Sequence, residues 1–349
     1  MTDAPPPPPL HATDPARFRA GADAIEHALF EVKRVIVGQE RVLERVLVCL
    51  LARGHVLLEG VPGLAKTLTV ETLAEVVGGT FTRIQFTPDL VPSDIVGTRI
   101  YRASAERFDV ELGPVFANFV LADEVNRAPA KVQSALLEVM SEAQVSIGSE
   151  THRVPRPFLV LATENPIESE GVYPLPEAQQ DRFLMKIVMG YPAHEEEIEV
   201  VQRMTVRPPH ASAVLDPLQL QALQELTDQV YVDRAEVEHA VRLVGATRDP
   251  AGHGLTDLVP LLAQGASPRA SIGLVRAARG LALLQGRGYV LAEDIRACAL
   301  EILRHRLVLS YEALAQGVTT DELIVEVLRA VRPTEHGRLT MVGRRTATR

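Results

Sequence analysis

The sequence is poor in the residues that mark disulfide-bonded, metal-binding and base-stacking proteins. Among its 349 residues there are two cysteines, Cys49 and Cys298, no tryptophan and only 4% aromatic residues. Both cysteines lie in apolar helical patterns, which predicts buried thiols in a reducing compartment instead of a disulfide framework or a cysteine-based zinc site. The ten histidines are scattered without the paired spacing of a metal motif. Too few aromatic side chains are present for a platform that stacks on nucleic-acid bases.

The sequence also lacks an excess of positive charge and long apolar runs. The formal net charge is -9, and because a phosphate-binding surface usually needs a basic face, nucleic acid is not an expected partner. No stretch has the length of uncharged apolar residues that spans a bilayer, and the N-terminal MTDAPPPPPL has no secretory signal pattern. We therefore predict a cytoplasmic protein without a membrane span.

The pattern of residues changes along the chain. Five consecutive prolines predict a disordered leader over residues 1–15. Residues 16–191 begin with two helical patterns and then alternate short apolar runs with helices, which is typical of parallel strands covered on both faces. The predicted fold class is therefore a three-layer α/β domain with a parallel sheet, followed by an all-α domain over residues 192–335 and a basic tail over residues 336–349. The all-α part is expected to contain one helix at Ala292–Leu303 and almost no strand.

A glycine-containing loop between a strand and a helix is the most informative segment. Leu57–Thr67 reads LLEGVPGLAKT, an apolar run that breaks into a turn and ends in Lys-Thr. Such a turn directs backbone N–H groups at phosphate oxygens where a helix begins, with Lys66 at the β- and γ-phosphates and the Thr67 hydroxyl on Mg2+. Ala65 stands where a second glycine is usual. The predicted nucleotide-binding residues are Gly60, Val61, Pro62, Gly63, Leu64, Ala65, Lys66, Thr67 and Leu68.

Polar residues beside later strands extend this prediction to nucleotide hydrolysis. The run FVLADE ends a buried strand with Asp123, which would orient the Mg2+ shell, and Glu124, which would polarise the attacking water. Asn165 ends another strand and would hold that water, although an asparagine there is more often a turn residue. Arg182 precedes the last strand. A surface charge is its ordinary interpretation, but a guanidinium from a neighbouring subunit stabilises a transferring phosphoryl group in other proteins.

In this order the residues resemble an AAA+ ATPase, and the segments around them resemble its MoxR subfamily. The resemblance covers Ala20–Val331. Five segments carry it: QFTPDLVPSDIVGT (Gln85–Thr98), GPVFANFVLADEVNRAP (Gly113–Pro129), ATENPIESEGVYPLPEAQQDRF (Ala162–Phe183), SPRAS (Ser267–Ser271) and LRHRLVLSYEA (Leu303–Ala313). It implies ATP and Mg2+ as cofactors and ATP hydrolysis in a ring, a homohexamer by family expectation. It also implies chaperone-like remodelling, maturation or metal-cofactor insertion of client proteins, with a von Willebrand factor A domain protein as accessory partner.

The resemblance also assigns roles to single residues. Asn165 matches the first sensor, Arg182 the arginine finger, and Arg269 the second sensor, which contacts nucleotide and couples the lid to its state. The turn Val37-Gly38-Gln39 would border the adenine through backbone groups. Ala65 is tolerated in this subfamily, so the phosphate loop is expected to keep its function.

Two insertions would pass nucleotide-dependent movement to a substrate. Residues 87–113 resemble the helix-2 insert of this AAA+ branch. Residues 144–154 alternate apolar and polar around a Gly-Ser-Glu turn, which predicts a hairpin that matches the one before the first sensor. Both would project toward the ring pore or a partner face. Asn126 and Arg127 would extend the sensor network or bridge subunits.

Two other functions stay open at this point. A nucleotide-dependent binding scaffold would use slow hydrolysis only to time partner association, and Glu124 argues against a dead ATPase without excluding a slow one. A DNA-directed motor would fit the related AAA+ branches that carry the same inserts. The acidic balance and the absence of an attached DNA-binding module disfavour that motor.

Overall fold

The computed structural model describes residues 14–61, 63–104, 106–166, 172–206 and 209–333. Pro62 of the predicted phosphate loop lies outside these ranges, as do the basic tail and all but the last two residues of the predicted leader. Within the described residues, no helix has both the length and the apolar character needed to cross a bilayer.

Strands and helices alternate up to Val188, and helices dominate beyond it. The strands are β1 Val56–Glu59, β2 Phe81–Gln85, β3 Gly97–Arg102, β4 Arg107–Leu112, β5 Phe119–Asp123, β6 Gln144–Ile147, β7 Glu150–Arg153, β8 Leu159–Glu164, β9 Met185–Val188, β10 Leu262–Gln264 and β11 Val308–Leu309. The helices are α1 Pro15–Val35, α2 Glu40–Leu51, α3 Lys66–Val77, α4 Pro92–Val96, α5 Ala130–Glu142, α6 Glu177–Gln180, α7 His194–Val206, α8 Pro217–Asp228, α9 Arg234–Arg248, α10 Pro268–Leu284, α11 Ala292–Ala297, α12 Ala299–Leu303, α13 Tyr311–Gln316 and α14 Thr320–Ala330.

Five parallel strands form the central sheet, in the order β2-β5-β8-β1-β9. The apolar residues of β1, β5 and β8 are buried, as expected for strands whose two faces are both covered. Because all five strands run in the same direction, their carboxyl ends share one edge, and Glu59, Asp123 and Glu164 lie there. The predicted parallel sheet is confirmed.

Two apolar cores lie on opposite faces of this sheet. Side chains alternate along a strand, so Leu121 packs in the core that contains apolar residues of α1 and α3, while its neighbour Val120 packs in the core that contains apolar residues of α5. Helices therefore cover both faces, which confirms the predicted three-layer α/β class.

Two antiparallel hairpins extend from this α/β layer. β3 pairs with β4 inside the predicted insertion, and β6 pairs with β7 where the sequence predicts a hairpin. Gly97 begins β3 with φ 97°, and a Cβ atom placed there would lie 2.2 Å from the Glu111 carbonyl oxygen. Only glycine fits this approach, so the base of the first hairpin is tightly specified.

In the part after α7, α10 contacts α8, α9, α11 and α12 and also reaches α1 and α2. One expectation for this part is wrong. The helix expected at Ala292–Leu303 is divided at Cys298 into α11 and α12. Arg45 Nη2 donates to the Ala297 carbonyl oxygen at 2.9 Å, so a side chain from α2 satisfies an acceptor at the end of α11. Among the described residues of this part, strand is limited to one short antiparallel pair, β10 with β11, which agrees with the expectation of almost no strand.

Both cysteines are buried free thiols, as the apolar patterns around them predict. Burial raises the pKa of Cys298 to about 12 and raises that of Cys49 as well. Because the thiolate is the reactive form, both side chains are inert packing groups.

Candidate functional site

The predicted phosphate loop lies at the carboxyl edge of the sheet, between β1 and α3. Gly63 has φ 86° and Ala65 has φ 56°, both in the left-handed region. Residues in this conformation turn backbone N–H groups toward a common point, which forms a concavity for anions. A Cβ atom placed on Gly63 would meet no atom within 4 Å, so the loop borders open space. The conformation of Ala65 explains why glycine is usual there, since a left-handed alanine costs about 1–2 kcal/mol.

A cleft of about 440 Å³ opens beside this loop, a volume typical of small-molecule sites. Its lining residues come from the loop, α3 and the carboxyl ends of β2, β5 and β8: Gly63, Leu64, Ala65, Lys66, Thr67, Leu68, Arg83, Gln85, Asp123, Glu124 and Asn165. The fold therefore brings residues from three separate predicted motifs to one place. Of the other loop residues, Gly60 supports Lys66 and Val61 packs against the apolar core.

Lys66 begins α3 and reaches back over the loop. Its Nζ donates to the Gly60 carbonyl oxygen at 2.6 Å, and the Gly60 N–H donates to the Glu164 carbonyl oxygen at 3.3 Å. Partial burial lowers the pKa of Lys66, and the nearby carboxylates of Asp123 and Glu124 oppose this shift. A neutral carbonyl is a weaker partner than an anion, so a phosphate would compete well for this ammonium group.

Asp123 is held from both neighbouring strands of the sheet. The Thr163 hydroxyl of β8 donates to Asp123 Oδ1 at 2.6 Å, and Arg83 Nη2 of β2 donates to Oδ2 at 2.6 Å. Thr163 Oγ1 also accepts the Glu124 N–H at 2.8 Å. One threonine therefore orients the two successive carboxylate residues.

Glu124 follows the end of β5 in the left-handed conformation, with φ 56°. Gln85 Nε2 donates to Glu124 Oε2 at 2.8 Å, and Arg127 Nε lies 3.2 Å from the same oxygen. Arg83 Nη2 in turn donates to Gln85 Oε1 at 2.8 Å. The polar side chains of Arg83 and Gln85 on β2 thus contact each other and hold both Asp123 and Glu124.

Sequence reasoning did not identify Arg83, Gln85 or Thr163 as site residues. One sequence pattern could have indicated two of them: Arg83 and Gln85 lie two residues apart in a strand, so their side chains share a face of the sheet. Their importance depends on the strand order, because Gln85 is the register partner of Asp123. That pairing joins segments separated by almost forty residues, and the local pattern does not specify it.

A second charged cluster lies beside the loop, where β1, β8 and β9 end. Glu59 and Glu164 are register partners, and Lys186 Nζ lies 2.6 Å from Glu59 Oε2 and 3.6 Å from Glu164 Oε2. Burial raises the pKa of Glu164, Lys186 opposes this shift, and Glu59 adds to it. Glu59 directly precedes the phosphate loop, and Glu164 directly precedes Asn165. Lys186 therefore links the two strand ends from which these parts of the site begin.

We expect Lys186→Met to lower the free energy of unfolding by about 2–4 kcal/mol at pH 8, less than for a fully buried pair because these groups are partly exposed. Without the ammonium group, the pKa of Glu164 in the folded state rises further above its unfolded value. The ionised carboxylate then destabilises the fold, so the deficit should grow as pH rises and shrink toward pH 5. Urea unfolding at the two pH values checks this, with Lys33→Met as control, since Lys33 and Glu40 form an exposed ion pair of 2.7 Å. Equal deficits at both pH values would contradict the assignment.

The predicted adenine turn, Val37-Gly38-Gln39, lies between α1 and α2 and packs against the segment after β9. Gln39 Nε2 donates to the Gly190 carbonyl oxygen at 2.9 Å. Gly38 has φ 66°, and a Cβ atom on it would lie 2.5 Å from Glu196 Cδ. Because β9 ends at the same edge as β1, the turn lies on the phosphate-loop side of the sheet.

Arg182 and Arg269 are not in this cleft. Arg182 comes three residues before β9, and Met185 pairs with Val56, the first residue of β1, so Arg182 lies at the amino edge of the sheet. Arg182 Nη1 donates to the Leu137 carbonyl oxygen at 2.8 Å and to Ser141 Oγ at 3.1 Å, near the end of α5.

Arg269, near the start of α10, lies beside Arg182 in a cavity of about 330 Å³ at this amino edge. Its Nη1 lies 3.4 Å from Asp181 Oδ2. The length of β1, about 10–13 Å, and the whole phosphate loop separate this cavity from Lys66. The structure therefore places the two predicted arginines together, on the opposite edge from their own phosphate loop.

Comparison with known proteins finds two family matches. Residues 55–185 match the ATPase family associated with various cellular activities (AAA), and residues 256–327 match the AAA lid domain. The first match contains β1, the phosphate loop, Asp123, Glu124 and Arg182. The second contains α10 and Arg269.

Individual relatives share nearly the whole length of the chain. Chaperone MoxR1 of Mycobacterium tuberculosis is 59% identical over 326 residues, covering 93% of this chain and 86% of that protein. Protein MoxR of Paracoccus denitrificans is 34% identical, covering 84% of this chain and 89% of that protein. A solved structure from Cytophaga hutchinsonii, described as a candidate ATPase, superposes with a TM-score of 0.87 at 46% identity and covers 92% of this chain and 98% of its own.

Proposed function

This chain belongs to the MoxR family of AAA+ ATPases, and from that premise we propose that it binds ATP with Mg2+ and hydrolyses it in a ring of identical subunits. The observation that carries the proposal is the convergence of Lys66, Thr67, Asp123, Glu124 and Asn165 on one cleft at the carboxyl edge of the sheet. In this assignment residues 16–191 form the nucleotide-binding domain and residues 192–335 the lid.

Five residues of the cleft have individual chemical roles in this proposal. Lys66 exchanges the Gly60 carbonyl oxygen for phosphate oxygens, and the N–H groups of the loop take the others. Thr67 and Asp123 supply the hydroxyl and carboxylate oxygens that suit Mg2+, which when bound neutralises charge on the β- and γ-phosphates. Glu124 accepts a proton from the attacking water, and Asn165 orients that water.

The opposite placement of the arginines supports a site shared between subunits. Arg182 and Arg269 lie on the amino edge, so in a head-to-tail arrangement they face the phosphate loop of the next copy. There Arg182 acts as the arginine finger, and Arg269 contacts the same nucleotide from the neighbour's side. We adopt six as the ring size.

The work of hydrolysis would pass to other proteins through the two hairpins. Tyr101 and Phe108 face each other across β3 and β4 and are 54% and 58% exposed, which is high for aromatic side chains and suits a contact surface. We propose chaperone-like remodelling, maturation or metal-cofactor insertion of client proteins, with a von Willebrand factor A domain protein as partner and the cytoplasm as location. A relative carries the name chaperone, which supports the general class.

A second candidate is a nucleotide-timed scaffold with slow hydrolysis. The contacts of Glu124 with Gln85 and Arg127 favour it, because they occupy the carboxylate that would activate water. Steady-state and single-turnover phosphate release, each with and without a partner, separate the two. A burst followed by slow turnover that partner does not accelerate supports the scaffold.

The nucleotide site is tested by Lys66→Ala. Loss of a charge-assisted contact of about 1.5–3 kcal/mol should weaken ATP binding about 10- to 100-fold, measured by calorimetry. Lys131→Ala, which removes an exposed lysine on α5, is the control and should bind ATP like the parent protein. Unchanged affinity in Lys66→Ala, with the fold intact, would remove the basis of the proposed function.

A further inference from the structure

We propose that Asp181 is a positioning residue that holds Arg182 and Arg269 as one unit for donation to the neighbouring site. The inference rests on the proposed function, in which both arginines serve the next subunit. Asp181 does not line the cleft of its own subunit and, in this proposal, does not touch the neighbour's nucleotide.

Three groups from the helical part of the chain converge on the Asp181 carboxylate. Arg306 Nε donates to Oδ1 at 2.7 Å, while Ser267 Oγ donates to Oδ2 at 3.0 Å and Arg269 Nη1 lies 3.4 Å from the same oxygen. Asp181 itself belongs to the segment before β9 and is the residue next to Arg182. One carboxylate therefore bridges the α/β part and the helical part at the point where both arginines emerge.

The bridge that Asp181 forms with Ser267, Arg269 and Arg306 is called the Asp181 joint, and Arg306 gives it rigidity. Its side chain is 3% exposed, and its guanidinium also donates to the carbonyl oxygens of Asp181 at 3.2 Å and Phe183 at 2.6 Å. Burial lowers the pKa of Arg306, and Asp181 opposes that shift as its hydrogen-bonded counter-ion. Breaking a buried charged pair is costly, so Arg306 keeps the backbone on both sides of Arg182 fixed.

Ser267 extends the joint to the helix that carries Arg269. Its hydroxyl donates to Asp181 and accepts the Arg269 N–H at 3.2 Å as the N-cap of α10. The first turn of α10 is thereby oriented by Asp181. Arg269 itself is 59% exposed and makes the longest of the three contacts, so it can leave Asp181 for a phosphate while Ser267 and Arg306 stay in place.

The charge balance of the cavity agrees with this role. Its lining includes five arginines, Arg53, Arg182, Arg269, Arg276 and Arg306, and among the described residues that line it Asp181 is the one carboxylate. Five like charges repel one another, and a fixed counter-charge lets two of them converge. Arg53 pairs with Asp228 at 2.6 Å, so the charges that Asp181 balances directly are those of Arg306 and Arg269.

Asp181→Asn tests the proposal, because it keeps the shape of the side chain and removes the charge. We expect kcat for ATP hydrolysis to fall at least about tenfold while KM for ATP stays within about twofold, since the phosphate loop of the same subunit is untouched. An unchanged kcat in the Asn variant would overturn the inference.

Mixed assemblies separate a donor defect from misfolding. A Glu124→Gln subunit cannot hydrolyse ATP but keeps its arginines. In an equal mixture with Asp181→Asn, half of the subunits keep Glu124, and half of those face a neighbour with an intact arginine pair. The mixture should therefore recover roughly a quarter of the parent activity. Arg182→Ala mixed with Glu124→Gln is the reference. If the Arg182→Ala mixture recovers activity and the Asp181→Asn mixture does not, the role of Asp181 is refuted. If neither recovers, the shared site itself is refuted.

Two more variants are informative: one controls for a folding defect, and the other tests the joint a second time. Asp294→Asn removes a carboxylate that pairs with Arg287 at 2.6 Å in the helical part, away from the cavity, and should lose stability without losing kcat. Ser267→Ala removes one hydroxyl from the joint and should lower kcat several-fold with the same recovery in the mixture. A fall in kcat for Asp294→Asn equal to that for Asp181→Asn would indicate general loosening of the helical part and overturn the inference.

Discussion

Glu124→Gln is expected to lower kcat for ATP hydrolysis by about 10²- to 10⁴-fold, the range for loss of a general base. The amide cannot take the proton of the attacking water, yet it has nearly the same volume and leaves Lys66 and Thr67 unchanged. ATP affinity should therefore stay within about twofold of the parent value. The variant is then a protein that holds ATP without turning it over.

Phosphate release and ATP binding, measured on the same preparation, check this expectation. Glu75→Gln, which changes an exposed carboxylate on α3, is the matched control and should hydrolyse ATP normally. If Glu124→Gln turned over at the parent rate, Glu124 would not be the base. The ATP-bound variant is also suited to affinity capture, and failure to enrich any client or accessory protein over the Lys66→Ala variant would weaken the remodelling proposal.

Because we propose that Arg182 is the arginine finger, Arg182→Ala is expected to lower kcat by about 10³-fold or more. ATP affinity should change little, because Arg182 lies at the opposite edge of the sheet from the phosphate loop of its own subunit. The variant also loses hydrogen bonds to Leu137 and Ser141, so a stability loss of about 1–2 kcal/mol is expected in addition.

Steady-state hydrolysis, ATP titration and thermal unfolding of Arg182→Ala distinguish these effects. Arg248→Ala, which removes an exposed arginine on α9, serves as control and should match the parent protein in all three. Hydrolysis by Arg182→Ala at the parent rate would show that the guanidinium takes no part in phosphoryl transfer. A large loss of ATP affinity would instead place Arg182 in the site of its own subunit.

The parts of the fold that the sequence predicts are those in which local pattern and local structure coincide. The strand before Gly60 and the strand that ends in Asp123 are continuous apolar runs, and burial on both faces is what such runs require. Lys66, Asp123, Glu124 and Asn165 could be expected near one another because the ends of parallel strands meet at one edge.

The remaining features depend on contacts between distant segments. Gln85 reaches Glu124 because β2 and β5 are neighbours, and Lys186 meets Glu59 because β9 lies beside β1. Arg269 lies beside Arg182 because of how the helical part packs on the sheet, which no local pattern encodes. The contact at the division of the expected helix likewise joins distant segments, since Arg45 of α2 donates to the Ala297 carbonyl oxygen.

The opposite positions of the phosphate loop and the arginine pair have a consequence for dilution. Copies joined head to tail in an open chain leave one phosphate loop without arginines at one end and one pair of arginines unused at the other. An open chain of n copies then contains n − 1 complete sites, and only closure completes the last one. If the proposed ring forms, turnover per subunit should therefore depend on protein concentration, and a preparation diluted below the point of closure should lose activity without any loss of folded protein.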